Sequence, residues 1–184
     1  KFYKEGFNML LSMTDAEPNR AHFALAEMER LGYIKGVITQ NIDNLHYKAG
    51  SKYILEVHGN TREGSCMKCA NTVDLNVLIN KVNNGEIPPK CDNCGGTLRP
   101  DVVFFGDMLP EDFNTSVREI ETSDLLIVIG SSLTVSPVNY LPQMAKKLVI
   151  INMGPTAMDS FAEVKIEDKA GKTLEAILDE LEKE

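Results

Sequence analysis

Two Cys-x-x-Cys pairs, Cys66 with Cys69 and Cys91 with Cys94, constrain this chain more than any other feature, and 21 residues separate them. Each pair can offer two thiolates to one tetrahedral ion, and this two-knuckle spacing is that of a structural zinc site. Gly95 and Gly96 follow the last cysteine, where a tight backbone turn aims amide hydrogens at the sulfurs. Two disulfides are the alternative, disfavoured in a reducing compartment. A redox dithiol needs only one pair. Four thiolates fill the shell and leave no position for water, so the expected Zn2+ is structural and any catalysis lies elsewhere.

The cysteines sit in a segment, Gly59 to Arg99, whose texture differs from the rest. It holds a polar helix candidate from Val73 to Val82 and the loop Asn83-Asn84-Gly85-Glu86-Ile87-Pro88-Pro89, and it reads as an inserted module. Around it, helix and strand signals alternate. Pro18 to Leu31 has apolar residues at helical spacing, with Pro18 placed for a first turn and Gly32 for a C-terminal cap. Val37 to Gln40 and Tyr53 to Val57 read as strands, with a helical turn at Asp43–Tyr47 between them. Pro110 to Ser123 predicts a helix, Leu125 to Ile129 and Leu148 to Ile151 predict strands buried on both faces, and Thr173 to Leu181 predicts a closing amphipathic helix. Helix, apolar strand and polar turn recurring in this order indicate an α/β fold built on a doubly wound parallel sheet.

Composition narrows the partners. With 43% hydrophobic residues the chain has enough apolar surface for a core, and 27 acidic against 19 basic residues give a net charge of -8. The basic residues do not cluster, so nucleic acid and anionic membranes are not expected partners. No apolar run reaches the ~20 residues of a membrane helix. The start, Lys1-Phe2-Tyr3-Lys4-Glu5-Gly6, has no signal-peptide pattern, so the expected compartment is the cytoplasm. The absence of an initiating Met leads to the expectation that the sequence begins partway through a longer protein.

In a doubly wound sheet, ligands bind beyond the carboxyl ends of the strands. The turns at those positions are Thr39-Gln40-Asn41-Ile42-Asp43, His58-Gly59, Gly130-Ser131-Ser132 and Asn152-Met153-Gly154. Gly130 allows close backbone approach, and Ser131 and Ser132 can donate to phosphate or ribose oxygens. Asn152 can bridge a ribose diol, and Asn41 with Asp43 can meet a carboxamide with both donor and acceptor. Of the three histidines, His22 reads as a core residue and His46 as a helix-packing or supporting residue. His58 follows a strand and precedes a glycine at the boundary of the cysteine module. It suits a general base, or a hydrogen bond across that boundary. The segment Gly96 to Gly106 returns the chain to the sheet, either as a plain strand or as a cleft edge able to pair with an extended peptide.

These residues resemble the sirtuins. Thr39-Gln40-Asn41-Ile42-Asp43-Asn44-Leu45-His46, His58-Gly59, the two cysteine pairs, Arg99 to Asp107, Gly130-Ser131-Ser132-Leu133 with Val135 and Pro137, and Ile151-Asn152 occur in the order of that family's signature. The resemblance implies a Rossmann-type NAD-binding domain at 1–58 and 100–184, a zinc-binding small domain at 59–99, and NAD-dependent removal of acyl groups from protein lysines. It implies that Gln40, Asn41, Ile42 and Asp43 line the nicotinamide and ribose pocket, with Asn41 and Asp43 in the reaction and His58 the base. It assigns Gly130, Ser131, Ser132, Asn152 and Ala170 to the adenosine half of NAD, with Met153 and Gly154 also binding the cofactor. Val103, Phe104, Gly106 and Val135 would hold the acyl-lysine peptide as an added strand. The implied reaction begins with attack of the acyl amide oxygen on the ribose carbon that bears nicotinamide. His58 then deprotonates a ribose hydroxyl so that the acyl group moves onto it.

Sirtuins begin with a strand and a turn of the type Gly-Ala-Gly-Ile-Ser, and this sequence does not contain them. On that ground weak NAD binding and little turnover are expected of this polypeptide, since a phosphate cradle provides much of the positioning. The same departure keeps open a catalytically silent module that binds acyl-lysine peptide or ADP-ribose. A protein ADP-ribosyltransferase on the same fold is the other alternative. A nucleic-acid-binding zinc ribbon is disfavoured by the charge.

Overall fold

The alternating apolar residues of the short strands decide which face each side chain takes, and two opposed layers of side chains result. A computed structural model describes residues 15–183 together with Tyr3, Phe7 and Met13; of the hexapeptide at the start, only Tyr3 is among the described residues. The chain divides into two compact units. The first contains Lys1–Glu17, Thr39–Leu45 and His58–Met108, and the second Pro18–Ile38, His46–Val57 and Leu109–Glu184. These boundaries group the Gln40–Asp43 turn with the cysteine module, whereas the domains expected from sequence follow chain texture.

In the second unit, helix α1 (Arg20–Arg30) starts at Asn19, whose side chain accepts from the Ala21 amide, while His22 Nδ1 accepts from the Asn19 amide at 3.2 Å. This reciprocal cap places Pro18 just before the helix rather than in its first turn. Gly32 follows the helix at φ 84, as the sequence predicts. Strand β1 (Val37–Thr39) pairs with β2 (Ile54–Glu56), on either side of the short helix α2 (Leu45–Ala49) in sequence. Helix α4 (Glu111–Thr122), strand β6 (Leu126–Ile129), a 3-10 segment (Val138–Met144), strand β7 (Leu148–Ile151), strand β8 (Val164–Ile166) and helix α5 (Ala170–Leu181) complete this unit. Strands β6, β7 and β8 are parallel in that order, with Leu126 opposite Leu148 and Val149 opposite Val164.

Side-chain alternation along β6 explains the layering. Ile127 and Ile129 pack with Ala24, Leu25 and Met28 of α1 and Leu174 of α5, whereas Leu126 packs with Val57, Ile120, Val138 and Leu141. Val37 and Ile38 of β1 divide between the same two clusters. Thus β1 and β6 lie between the same two layers, although among the described residues no hydrogen-bonded ladder joins them. Only Val128 of β6 is buried, and its neighbours are half-buried. The expectation of a strand buried on both faces is corrected on this point, because β6 pairs on one side only among the described residues. Strand β7, flanked on both sides, has Leu148, Ile150 and Ile151 buried.

In the first unit, β3 (Gly59–Cys66) is the centre of an antiparallel sheet in the order β4-β3-β5, with β4 at Thr72–Asp74 and β5 at Leu98–Val102. Helix α3 (Leu75–Asn83) begins where the Asp74 carboxylate accepts from the Asn76 amide. That cap turns Val73 into strand instead of the helix predicted from the sequence. Leu75, Leu78 and Leu98 pack with Cys66 and Cys91, and a second cluster joins Phe7 and Val102 to Tyr3 and Ile42. Among the described residues no helix is long and apolar enough to cross a membrane.

The α1–α5 packing rests heavily on Leu174, which is fully buried. Leu174→Ala is expected to destabilise the second unit by about 2–5 kcal/mol, the cost of removing a buried leucine. Urea unfolding checks this, and an unchanged midpoint would contradict the packing.

Candidate functional site

The four cysteine sulfurs all lie within 4.8 Å of one another, with Cys66 and Cys94 at 3.5 Å and Cys69 and Cys91 at 3.8 Å. Four sulfurs ~2.3 Å from a tetrahedral centre stand ~3.8 Å apart, so the cluster has the size of a zinc tetrathiolate. The cysteines are free, which sets aside the two-disulfide alternative. The Lys68 amide donates to Cys66 Sγ at 3.4 Å. That bond and one from the Cys69 amide draw the Cys66 thiol down to about 6. The Asn71 amide pulls Cys69 the same way, but Cys94, burial and the other thiols outweigh it and push Cys69 up to about 12. Thiols packed this closely do not all ionise together without a cation. Gly96 has no substitute here, because a Cβ would stand 2.7 Å from Cys66 Sγ and 3.3 Å from Cys94 Sγ.

At the other end of the β3–β5 ladder, still in the first unit, the Gln40–Asp43 turn meets His58. His58 Nδ1 lies 3.1 Å from the Gln40 carbonyl oxygen. A carbonyl only accepts, so Nδ1 holds a hydrogen, and the tautomer compatible with this bond has its lone pair at Nε2. Thr39 Oγ1 accepts from the Asn41 amide at 3.1 Å, and Asp43 Oδ1 accepts from the Leu45 amide at 3.0 Å, starting α2. Asn41 is exposed, and Gln40, Ile42, Asp43 and His58 are half-buried. The Ile42 carbonyl accepts from Thr61 Oγ1 at 2.8 Å, and Thr61 accepts from Asn44 Nδ2 at 2.8 Å. Sequence reasoning missed Thr61 and Arg62, because contacts across 17 or 18 residues leave no periodic signal.

His58 is also tied to the expected peptide segment, since its carbonyl accepts from the Val103 amide at 3.0 Å. A turn follows in which Asp107 accepts from the Phe104 amide at 2.8 Å and pairs with Arg99, whose guanidinium lies 4.8 Å from the Phe104 ring centroid. Arg99 also donates to the Val102 carbonyl at 3.3 Å. Phe104 and Gly106 are exposed, as are Phe105 and Met108.

The second unit gathers the other predicted residues at the carboxyl edge of its parallel sheet. The Gly130 amide donates to the Ile151 carbonyl at 2.9 Å, and the Asn152 amide to the Ile166 carbonyl at 3.1 Å, so the turns after β6 and β7 are neighbours. Gly130 has φ 62, and nothing lies within 4 Å of where a Cβ would stand, which leaves the turn open to a ligand. Ser131 Oγ accepts from the Leu133 amide at 3.2 Å, and Ser132 is exposed beside Thr134. Asn152 Nδ2 donates to the Gly154 carbonyl at 2.9 Å, while Met153 is exposed. Ala170 is the first residue of α5, and Val135 is exposed. A surface groove of ≈ 600 Å³ in this unit, lined by Ile166, Asp168, Lys172 and Thr173 among others, includes none of the predicted site residues.

The family model described as Sir2 family matches residues 1–137. NAD-dependent protein deacetylase 2 of Caldanaerobacter subterraneus subsp. tengcongensis is 58% identical over 177 residues, 96% of this chain and 71% of that protein. This chain belongs to the Sir2 family. A solved structure of Sir2 bound to acetylated peptide matches this sirtuin with a TM-score of 0.93 and 36% identity, over 98% of this chain and 78% of the other. Another, of Sir2 with the inhibitor EX-527, 2'-O-acetyl-ADP-ribose and deacetylated p53 peptide, matches with a TM-score of 0.89 and 37% identity, over 98% and 79%. The α/β fold class read from the sequence is borne out by these matches, and the sirtuin's cysteine tetrad fits one structural zinc ion.

Metal analysis is expected to find one zinc per chain, lost in Cys66→Ser and Cys91→Ser. Chelation lowers the thermal midpoint by loosening the cysteine module, whose small core includes two of the ligands. Full structure in the metal-free protein would overturn the structural role.

Proposed function

We propose that this sirtuin removes acetyl and related acyl groups from protein lysines at the expense of NAD and water, the lysine nitrogen leaving as the free amine as the acyl group passes to a ribose hydroxyl, so that nicotinamide, the free lysine and O-acyl-ADP-ribose are released. The observation that carries this reading is the bond from His58 Nδ1 to the Gln40 carbonyl, which orients the ring and leaves Nε2 as a base. The relatives add support, because their names and bound molecules describe NAD-dependent deacetylation with an acetylated peptide and an acetylated ADP-ribose.

NAD supplies a ribose carbon with nicotinamide as leaving group, to which the acyl amide oxygen adds. Asn41 and Asp43 meet the nicotinamide carboxamide, and the Asp43 carboxylate favours the positive charge that develops as nicotinamide leaves. Gln40 and Ile42 complete that wall. His58 takes a proton at Nε2 from a ribose hydroxyl and so prepares it to accept the acyl group. Gly130, Ser131, Ser132, Asn152, Met153, Gly154 and the amide end of α5 at Ala170 hold the adenosine half. Asn152 serves chiefly through Oδ1, since its Nδ2 already donates within its own turn.

The peptide pairs with the chain near Val103, Phe104 and Gly106 and meets Val135. Support for an extended, main-chain mode of binding is the exposed segment directly after β5, held in shape by Arg99 and Asp107. The functional domains are 1–58 with 100–184 for NAD and 59–99 for zinc. The zinc stays outside the chemistry, and the chain acts in the cytoplasm without nucleic-acid or membrane partners.

An acetyl-lysine peptide incubated with NAD and the protein is expected to release nicotinamide in equal measure with deacetylated peptide. His58→Ala lowers kcat by about 10²–10⁴, the usual contribution of a general base, with peptide affinity retained. Equal turnover in His58→Ala would remove the base from that position. Peptide affinity without any nicotinamide release in the parent protein would replace the enzyme by a binding module.

A further inference from the structure

The turn that holds Gln40, Asn41, Ile42 and Asp43 belongs to no strand or helix after Thr39, and among the described residues no strand or helix ladder includes it. Side chains fix it instead. Arg62 Nη1 donates to Asn44 Oδ1 at 2.7 Å, Asn44 Nδ2 donates to Thr61 Oγ1 at 2.8 Å, and Thr61 Oγ1 donates to the Ile42 carbonyl at 2.8 Å. Each group in the relay has one sense open to it. A carbonyl must accept and a guanidinium must donate, so the Asn44 amide orientation and the Thr61 hydroxyl rotor are both determined. The guanidinium charge at one end strengthens the bonds that follow it.

Two features set the relay apart from an ordinary surface network. Thr61 is only 4% exposed, so its hydroxyl has little water to replace a lost partner. Asn44 has φ 64, a left-handed conformation that few residues other than glycine and asparagine adopt readily. This conformation accompanies an amide that reaches both Thr61 and Arg62 on β3. The neighbouring Asp43 carboxylate is at the same time committed to the Leu45 amide. The turn is therefore held at the Gln40 carbonyl by His58 and at the Ile42 carbonyl by Thr61, with Asn41 between them.

We infer that Asn44, Thr61 and Arg62 are positioning residues, which hold Asn41 and Asp43 in the geometry that recognises the nicotinamide carboxamide. The inference rests on the deacylase reading given above and adds residues to it that touch neither NAD nor peptide. The relay acts on nicotinamide recognition more than on acyl-lysine recognition, since the bonds of the relay itself do not touch the expected peptide segment, which His58 holds at Val103 and Arg99 with Asp107 hold in the turn beyond it.

The test compares Thr61→Val, which keeps the shape and removes the hydroxyl, Asn44→Gly, which keeps the backbone conformation and removes the amide, and Thr61→Ser, which restores the hydroxyl. Thr61→Val and Asn44→Gly are expected to raise the KM for NAD and the inhibition constant for nicotinamide by about tenfold, the scale of a buried hydrogen bond lost with its partner unpaired. The KM for acetyl-lysine peptide and the zinc content stay at parent values, and Thr61→Ser stays close to parent throughout. Nicotinamide inhibition unchanged in both disrupting variants overturns the inference, as does a rise that appears only together with lost zinc or a raised peptide KM. Amide hydrogen exchange over residues 40–45 is measured alongside. If the parent protein releases no nicotinamide, the deacylase reading falls by itself. Faster exchange of 40–45 in Thr61→Val, with unchanged exchange in α3, then upholds the positioning role, and unchanged exchange there overturns it.

Discussion

The antiparallel pairing of β3 with β5 is the constraint on which the first unit depends. At one end of the ladder Cys66 stands opposite Leu98, and at the other Gly59 stands opposite Val102. The residues that flank the second end are His58 and Val103, themselves joined by a backbone hydrogen bond. A clamp on the cysteine end therefore steadies the histidine end through the length of two strands. The local core is small: among the described residues Leu75, Leu78 and Leu98 form the buried cluster with Cys66 and Cys91, and Val73, Ile79 and Cys94 pack against it partly buried. Apolar burial on that scale contributes little against chain entropy, so a metal tetrathiolate is a fitting supplement. The ladder also shifts register between Gly59 and Gly64. A Cβ on Gly59, which has φ 77, would collide with the Asp101 carbonyl, so a glycine beside His58 is a requirement of the close approach of the two strands.

The second unit solves a different problem with more apolar surface. Its parallel strands are short: helices α1 and α5 cover one face, while on the other Leu148 and Ile150 of β7 pack with Val128 of β6 and with Leu133 and Met158 of the loops. Leu174 of α5 and Leu25 and Met28 of α1 cover one face, while Ile120 of α4 and Val138 and Leu141 of the 3-10 segment belong to the other layer. Parallel register brings the turns after β6 and β7 to one edge. Gly130 and Asn152 therefore become neighbours although 22 positions separate them. A further polar network, in which Lys165 and Thr156 hold the Asp159 carboxyl down at about 2, braces the chain between β7 and β8.

Several parts of this structure were legible in the residues alone. Leu148–Ile151 is a strand with the bounds its apolar run predicts, and Leu125–Ile129 loses only Leu125, which is 46% exposed. The cysteine spacing foretold a cluster of the right size, because short loops between ligands leave few geometries. Helix ends were read less well. Pro18 falls outside α1 because Asn19 and His22 close a cap there, and Val73 falls outside α3 because Asp74 caps the next residue. Both outcomes depend on which side chain captures an amide, a competition that periodicity does not record.

Sequence by itself determined the family, the thiolate set, the strands with strong apolar runs and the polar turns that follow them, since each is written in residue type and short spacing. Tertiary structure alone decided the tautomer of His58, the bracing of the Gln40–Asp43 turn by Asn44, Thr61 and Arg62, and the half-buried state of β6. The physical reason is the same in each case. A hydrogen bond between residues 17 or 18 apart, or a carbonyl that fixes a proton on one ring nitrogen, exists only once two segments have been folded against each other. Burial of a strand likewise depends on the strands and helices beside it as well as on its own hydrophobicity.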